Sequence, residues 1–119
     1  MSNPRRYCLA LDLNDDPQLI AEYIEYHKPE HAWPQITTNM RELGILDMEI
    51  YHLGDRLVMI METTQDFDPN QPPKTEQGRK ESDEWEKLMW TYQKPLKWAK
   101  EGEKWLPMNK IYDLKEALN

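Results

Sequence analysis

An α+β domain with the ferredoxin-like order β-α-β-β-α-β is what the 119 residues predict, and three observations carry that expectation. An apolar run near the N-terminus leads into a capped helical pattern. Two strand-like runs meet at Gly54-Asp55, and a second amphipathic helical stripe precedes a closing apolar segment. The length suits one domain spanning residues 1–119.

Tyr7-Cys8-Leu9-Ala10-Leu11-Asp12-Leu13 is short, mostly apolar and bounded by turn formers, as expected of a strand buried on both faces. Asp16 then offers an N-cap and Pro17 a first helical residue. With Leu19, Ile20, Tyr23, Ile24 and His27 at helical spacing, a helix is expected from Pro17 to Tyr26 or His27. Pro29 disfavours helical geometry at Lys28, so residues 28–32 form a loop. A second helical pattern follows at Trp33-Pro34, Ile36, Met40 and Leu43, stopped by Gly44.

Residues 45–53 and 56–63 read as a hairpin, with Gly54 at the first central position of a two-residue turn. Residues 64–78 hold three of the nine prolines and many polar groups, which reads as a mobile surface loop. Trp85, Leu88, Met89 and Tyr92 then stand at i, i+3, i+4 and i+7, predicting a helix over residues 79–94 that Pro95 ends. Residues 108–114 are expected to supply the last strand.

In the hairpin, Leu57-Val58-Met59-Ile60-Met61 is apolar without alternation, so both sheet faces need covering. Helices cover one face, and a second copy of the chain is the economical cover for the other. A homodimer, the dimeric α+β barrel, is therefore expected.

The 22 acidic residues against 15 basic ones leave a formal charge of −7, and the basic residues are scattered. Nucleic acid and anionic membrane surfaces are thus not expected partners. A single cysteine, Cys8, allows neither an intrachain disulfide nor a cysteine-based zinc site, which suits a reducing cytoplasm. Cys8 itself is expected to be a small buried residue. No apolar stretch approaches the length of a membrane span, and no phosphate-cradling glycine loop is present.

Tyr23 and His27, four residues apart, project from one helical face. Imidazole gives and takes protons near neutral pH, which makes His27 the best general acid or base in the chain. The same spacing also fits a core tyrosine beside a solvated helix-end histidine. His27-Lys28-Pro29-Glu30-His31 matches an H-x-x-E-H pattern, but Pro29 opposes the continuous turn that pattern needs and only the distant His52 could be a third ligand. No metal or other cofactor is expected. Trp33, Trp90, Trp98 and Trp105 could each lay a flat face against a sugar, or could serve core packing or an interface. Asp47 and Glu49 share a strand face with Tyr51, an expected lining for a polar cavity or a solvated strand edge.

Glu22-Tyr23-Ile24-Glu25-Tyr26-His27, then Trp33-Pro34-Gln35-Ile36 and Met48-Glu49-Ile50-Tyr51, resemble the L-rhamnose mutarotase family. The resemblance continues through Leu88-Met89-Trp90-Thr91-Tyr92 and Lys110-Ile111-Tyr112-Asp113-Leu114, and so spans nearly the whole chain. It implies a dimeric barrel that interconverts the α and β anomers of a 6-deoxy-L-sugar without cofactor or metal. By the same resemblance His27 is the proton donor and Tyr23 binds the sugar. The family's substrate-contacting Trp-Trp pair corresponds to Met89-Trp90, and Trp33 and Glu49 join the substrate-binding set. A longer segment between His27 and Trp33, and Met48 where the family has a sugar-binding tyrosine, depart from the rhamnose enzymes. Residues 44–50 and 102–105 look closer to the family's L-fucose branch, so L-fucose is the expected substrate.

Two other classes share such a barrel: cofactor-free oxygenases and small-molecule binding modules. Oxygen consumption with an aromatic substrate marks the first. Sugar binding without anomer exchange marks the second.

Overall fold

The computed structural model describes residues 3–118 and contains a five-stranded antiparallel sheet with helices packed on one face. Strand β1 (Arg5–Leu13) is central, and helix α1 (Pro17–Tyr26) follows it. Asp16 caps that helix as its sequence predicts, its carboxylate accepting from the amides of Gln18 at 2.9 Å and Leu19 at 3.2 Å. Helix α2 (Pro34–Glu42) opens on Trp33-Pro34 and leads through Gly44 into β2 (Ile45–Leu53) and β3 (Arg56–Thr63). Gly44 has a φ of +101°, and a Cβ there would sit 2.6 Å from Thr64 Oγ1. Glycine is therefore demanded twice over, by backbone conformation and by the close approach of the next loop.

The hairpin turns at Gly54, whose φ of +58° suits the expected glycine-first turn. Sheet order is β2-β3-β1-β4, with β4 (Gln93–Lys94) paired to Leu13 and Asp12, and β5 (Leu106–Pro107) paired to Ala10 and Leu9. A bulge between Ile45 and Asp47 resets β2. Beyond it Met48 pairs with Met61 and Ile50 with Met59, on the helix-covered face. Leu11, Leu13, Leu57 and Met89 are the deepest apolar side chains, joining β1 and β3 to helix α3 (Glu76–Trp90). Each such burial contributes about 1.5–3 kcal/mol.

Three expectations are corrected. Helix α3 begins at Glu76, where the Thr75 hydroxyl accepts from the Gly78 amide at 2.9 Å, and it ends at Trp90 rather than at Pro95. The reason is β4: Gln93 and Lys94 are taken by the free edge of β1, so Tyr92 packs into the core from outside the helix. The loop after β3 is not all surface, because Phe67 is buried and packs edge-on to Tyr7 with ring centroids 6.0 Å apart. Residues 108–114 are not a strand. The closing pair is β5 just before them, and Asp113 instead caps a short helix, α4 (Leu114–Ala117).

The sheet face away from the helices carries Cys8, Ala10, Val58, Ile60, Tyr51 and Leu53, and among the described residues no helix is laid over it. Cys8 is exposed there, not buried as expected. On that face Tyr51 is 54% and Leu53 83% exposed. Among the described residues no helix is long and apolar enough to cross a membrane.

Candidate active site

Between the helices and the covered sheet face lies a cavity of about 740 Å³. Its floor is apolar, built by Met48, Ile50, Met59, Met61 and Phe67 from β2, β3 and the following loop. Its polar end is built by Tyr23 and His27 of α1 with Gln93 of β4. A neighbouring recess shares His27, Met48 and Ile50, so His27 stands where the two meet.

Helical spacing brings Tyr23 and His27 together, their ring centroids 4.4 Å apart. Tyr23 is buried and His27, at the helix C-cap, stays open to solvent on one side. His27 Nδ1 lies 2.7 Å from the Tyr23 carbonyl oxygen. A carbonyl can only accept, so Nδ1 carries the ring proton and Nε2 keeps its lone pair. Crowding by neighbouring rings desolvates the imidazole and lowers its pKa below the usual 6.5, while the bond to the Tyr23 carbonyl pulls weakly the other way. His27 is thus a neutral base at pH 7.

Tyr23 Oη accepts a hydrogen bond from Gln93 Nε2 at 3.2 Å. Burial raises the phenol's pKa, the Gln93 bond lowers it and Glu86 raises it again, leaving it above 10.0. The hydroxyl therefore keeps its proton at neutral pH. With Gln93 donating into its oxygen, that proton is free for a ligand.

Trp85 forms the wall beside them, 5.6 Å from His27 and 5.1 Å from Trp33 between ring centroids. Trp33, the residue before α2, and Met89, one helical turn beyond Trp85, also line the cavity. Of the predicted site residues, His27, Tyr23, Trp33 and Met89 are therefore brought together.

Trp90 and Glu49, also among the expected site residues, do not line this cavity. Trp90 is one residue, about 100° of helical rotation, past Met89. Its face is covered by Lys104 Nζ at 4.6 Å, which is also paired with Glu86. Glu49 is exposed on the open sheet face, accepting from the Tyr51 hydroxyl at 3.3 Å. Strand alternation that turns Met48 and Ile50 inward turns Asp47, Glu49 and Tyr51 outward.

Sequence reasoning assigned no site role to Trp85 or Gln93, both of which line the cavity, while Trp105, one of the four candidate sugar-facing tryptophans, lines it as well. For Trp85 the signal was present, since it shares a helix face with Met89 at i, i+4. Gln93 carried none, because its position depends on β4 pairing to β1. His27 and His31 do not converge: His31 Nδ1 lies 3.1 Å from Glu25, while His27 Nδ1 turns back to its own helix.

An antiparallel sheet covered by helices on one face, with an imidazole and a phenol at the polar end of the cavity between them, defines a class of small α+β proteins with a ligand-sized cavity. Within that class the chain belongs to the L-rhamnose mutarotase family, whose family model matches residues 6–114. Mutarotases are isomerases, and this chain is an enzyme of that kind. It is 40% identical to an L-fucose mutarotase of Xanthomonas campestris over 115 residues, 97% of this chain and 92% of that one. A UPF0734 protein of Dictyostelium discoideum is 37% identical over 92% of this chain and 90% of its own. The crystal structure of an L-rhamnose mutarotase from Formosa agariphila has the same fold, with a TM-score of 0.62 at 14% identity. That superposition covers 92% of this chain and 97% of the other.

Proposed function

We propose that this enzyme interconverts the α and β anomers of a 6-deoxy-L-hexose, with L-fucose preferred to L-rhamnose, and that it works as a homodimer. The observation that carries the reaction is the paired state of His27 and Tyr23: a neutral imidazole with Nε2 free, beside a phenol whose proton is uncommitted.

Ring opening needs a base at the anomeric hydroxyl and an acid at the ring oxygen. His27 Nε2 takes the proton from O1, the C1–O1 bond becomes a carbonyl, and the C1–O5 bond breaks with its electron pair going to O5. The Tyr23 hydroxyl hydrogen-bonds O5 as charge develops there, and protonated His27 returns the proton to it. The open aldehyde turns about C1–C2, and closure by the reverse steps on its other face gives the second anomer. Protons and electrons balance over the cycle, so nothing is consumed. Trp33, Trp85 and Met89 supply apolar surface for the C–H side of the ring and its methyl group.

The fucose preference is supported by the Xanthomonas relative and by Met48, which lines the cavity at the position where the resemblance to the rhamnose enzymes implies a tyrosine. Exchange NMR on the anomeric protons of L-fucose and L-rhamnose tests it. Cross-peaks with catalytic protein, stronger for L-fucose, are expected; exchange no faster than buffer for both sugars overturns the proposed reaction.

The dimer is supported by the uncovered sheet face, where Val58 and Ile60 lie between exposed Tyr51 and Leu53 on one side and exposed Cys8 on the other. Analytical ultracentrifugation should give twice the 14.3 kDa chain mass. Ile60→Glu should give the monomer mass; a wild-type monomer at micromolar concentration overturns the dimer.

A further inference from the structure

Two polar side-chain atoms are buried without a partner among the described residues, Tyr7 Oη and Gln93 Oε1, and both residues line the same cavity. Leaving a buried acceptor unpaired costs about 1–3 kcal/mol, so a group in that state calls for an explanation. Tyr7 lies at the far end of the site. Gln93 pairs with Leu13, six residues along β1 from Tyr7, and six strand steps of about 3.3 Å place the two roughly 20 Å apart.

Gln93 is the one beside the chemistry. Only 5% of it is exposed, and the other end of the same amide, Nε2, donates to Tyr23 Oη at 3.2 Å. As placed, the amide leaves its Oε1 and one of its two N–H groups unpaired, whereas turned over it would leave both N–H groups unpaired. The side chain is fixed by its backbone: β4 exists through pairing of Gln93 and Lys94 to Leu13 and Asp12.

We infer that Gln93 is a substrate-binding residue that also positions Tyr23: its Oε1 accepts a hydrogen bond from a ring hydroxyl of the sugar, while its Nε2 holds the Tyr23 hydroxyl with its proton facing the substrate. A ligand hydroxyl satisfies the orphaned oxygen when it enters, and its absence leaves that oxygen unpaired. Such sites reject analogues lacking the hydroxyl far more strongly than apolar contacts reject a missing methylene. Gln93 would thereby join recognition of one hydroxyl to the polarity of the group that meets the ring oxygen. This inference deepens the sugar-isomerase reading and rests on it for the identity of the ligand.

The test pairs variants with sugars lacking one hydroxyl. Binding of L-fucose and its monodeoxy analogues is measured by calorimetry, and anomer exchange by NMR, for wild type, Q93L and Q93E. In wild type, one analogue is expected to bind about 10-fold or more weakly than L-fucose. In Q93L that difference should disappear, because the acceptor is gone. Q93E keeps an acceptor but removes the N–H, so the Tyr23 proton is drawn to the carboxylate; kcat should fall about 10-fold or more with KM little changed.

Q93E also covers the case in which Q93L does not fold. An analogue penalty of equal size in wild type and Q93L, or unchanged kcat in Q93E, overturns the inference. The two readings fail separately: a wild type that binds with the hydroxyl penalty but does not speed exchange leaves the contact standing and removes the mutarotase reaction.

Discussion

Tyr23 and Tyr92 are both buried, lie edge to face with centroids 6.1 Å apart, and belong to the same apolar cluster, yet their hydroxyls are wired in opposite senses. Tyr92 donates its proton to Glu22 Oε1 at 2.9 Å. Burial first and that carboxylate second push its pKa up to about 12, so its proton is committed. Tyr23 instead accepts from the Gln93 amide, which leaves its proton available. What a buried phenol can do is therefore decided by whether its one partner is an acceptor or a donor, and burial alone does not distinguish the two.

The sharpest way to break this contrast is to remove the base that Tyr23 is paired with. His27→Ala should lower anomer exchange by about 10²–10⁴-fold while the circular dichroism spectrum and oligomeric mass stay unchanged. Wild-type exchange in this variant would take His27 out of the reaction. Because the fold lowers the His27 pKa below 6.5, kcat/KM should be flat above that pH and fall through an acid limb with a midpoint below it. The sign carries over to stability: the unfolded imidazole takes up its proton first as pH drops, so folding weakens below pH 6.5. Titration of the His27 ring protons by NMR reads the midpoint directly.

Next in size are the two tyrosines themselves. Tyr23→Phe should cost about 10²-fold in exchange, the usual loss for a single transition-state hydrogen-bond donor. Tyr92→Phe should leave exchange near wild type but lower stability in urea unfolding by about 1.5–3 kcal/mol, since it removes a hydrogen bond to a charged partner. If the two substitutions lowered exchange equally, the distinction between a free and a committed phenol proton would be wrong.

The same division explains what was legible in the sequence. Caps, helical stripes and the glycine turn are local, so α1, α2 and the β2–β3 hairpin lie where Asp16, Trp33-Pro34 and Gly54 put them. Tyr23 and His27 were readable because one helix turn sets their spacing. The end of α3 was not, since its last predicted turn competes with an unfilled edge of β1, and the sheet wins Gln93 and Lys94. Nor was Gln93's place beside Tyr23, seventy residues distant in the chain. Trp90 lies outside the cavity by a single step of helical rotation from Met89, and Glu49 lies on the open face because alternation tells which residues share a face but not which face the helices cover.

That last point supplies the smallest expected effect and the cleanest control. Among the described residues the Glu49 side chain hydrogen-bonds to Tyr51 on the open face, and its neighbour Met48 lines the cavity. Glu49→Gln should therefore change kcat/KM by no more than assay error, whereas Met48→Ala, which opens the cavity floor, should raise KM and destabilise the fold by about 2–3 kcal/mol. Steady-state exchange rates across a range of L-fucose concentrations separate the two. A marked loss in Glu49→Gln would mean that the carboxylate reaches a reacting sugar from the face opposite His27, which only a second subunit's cavity could bring to it.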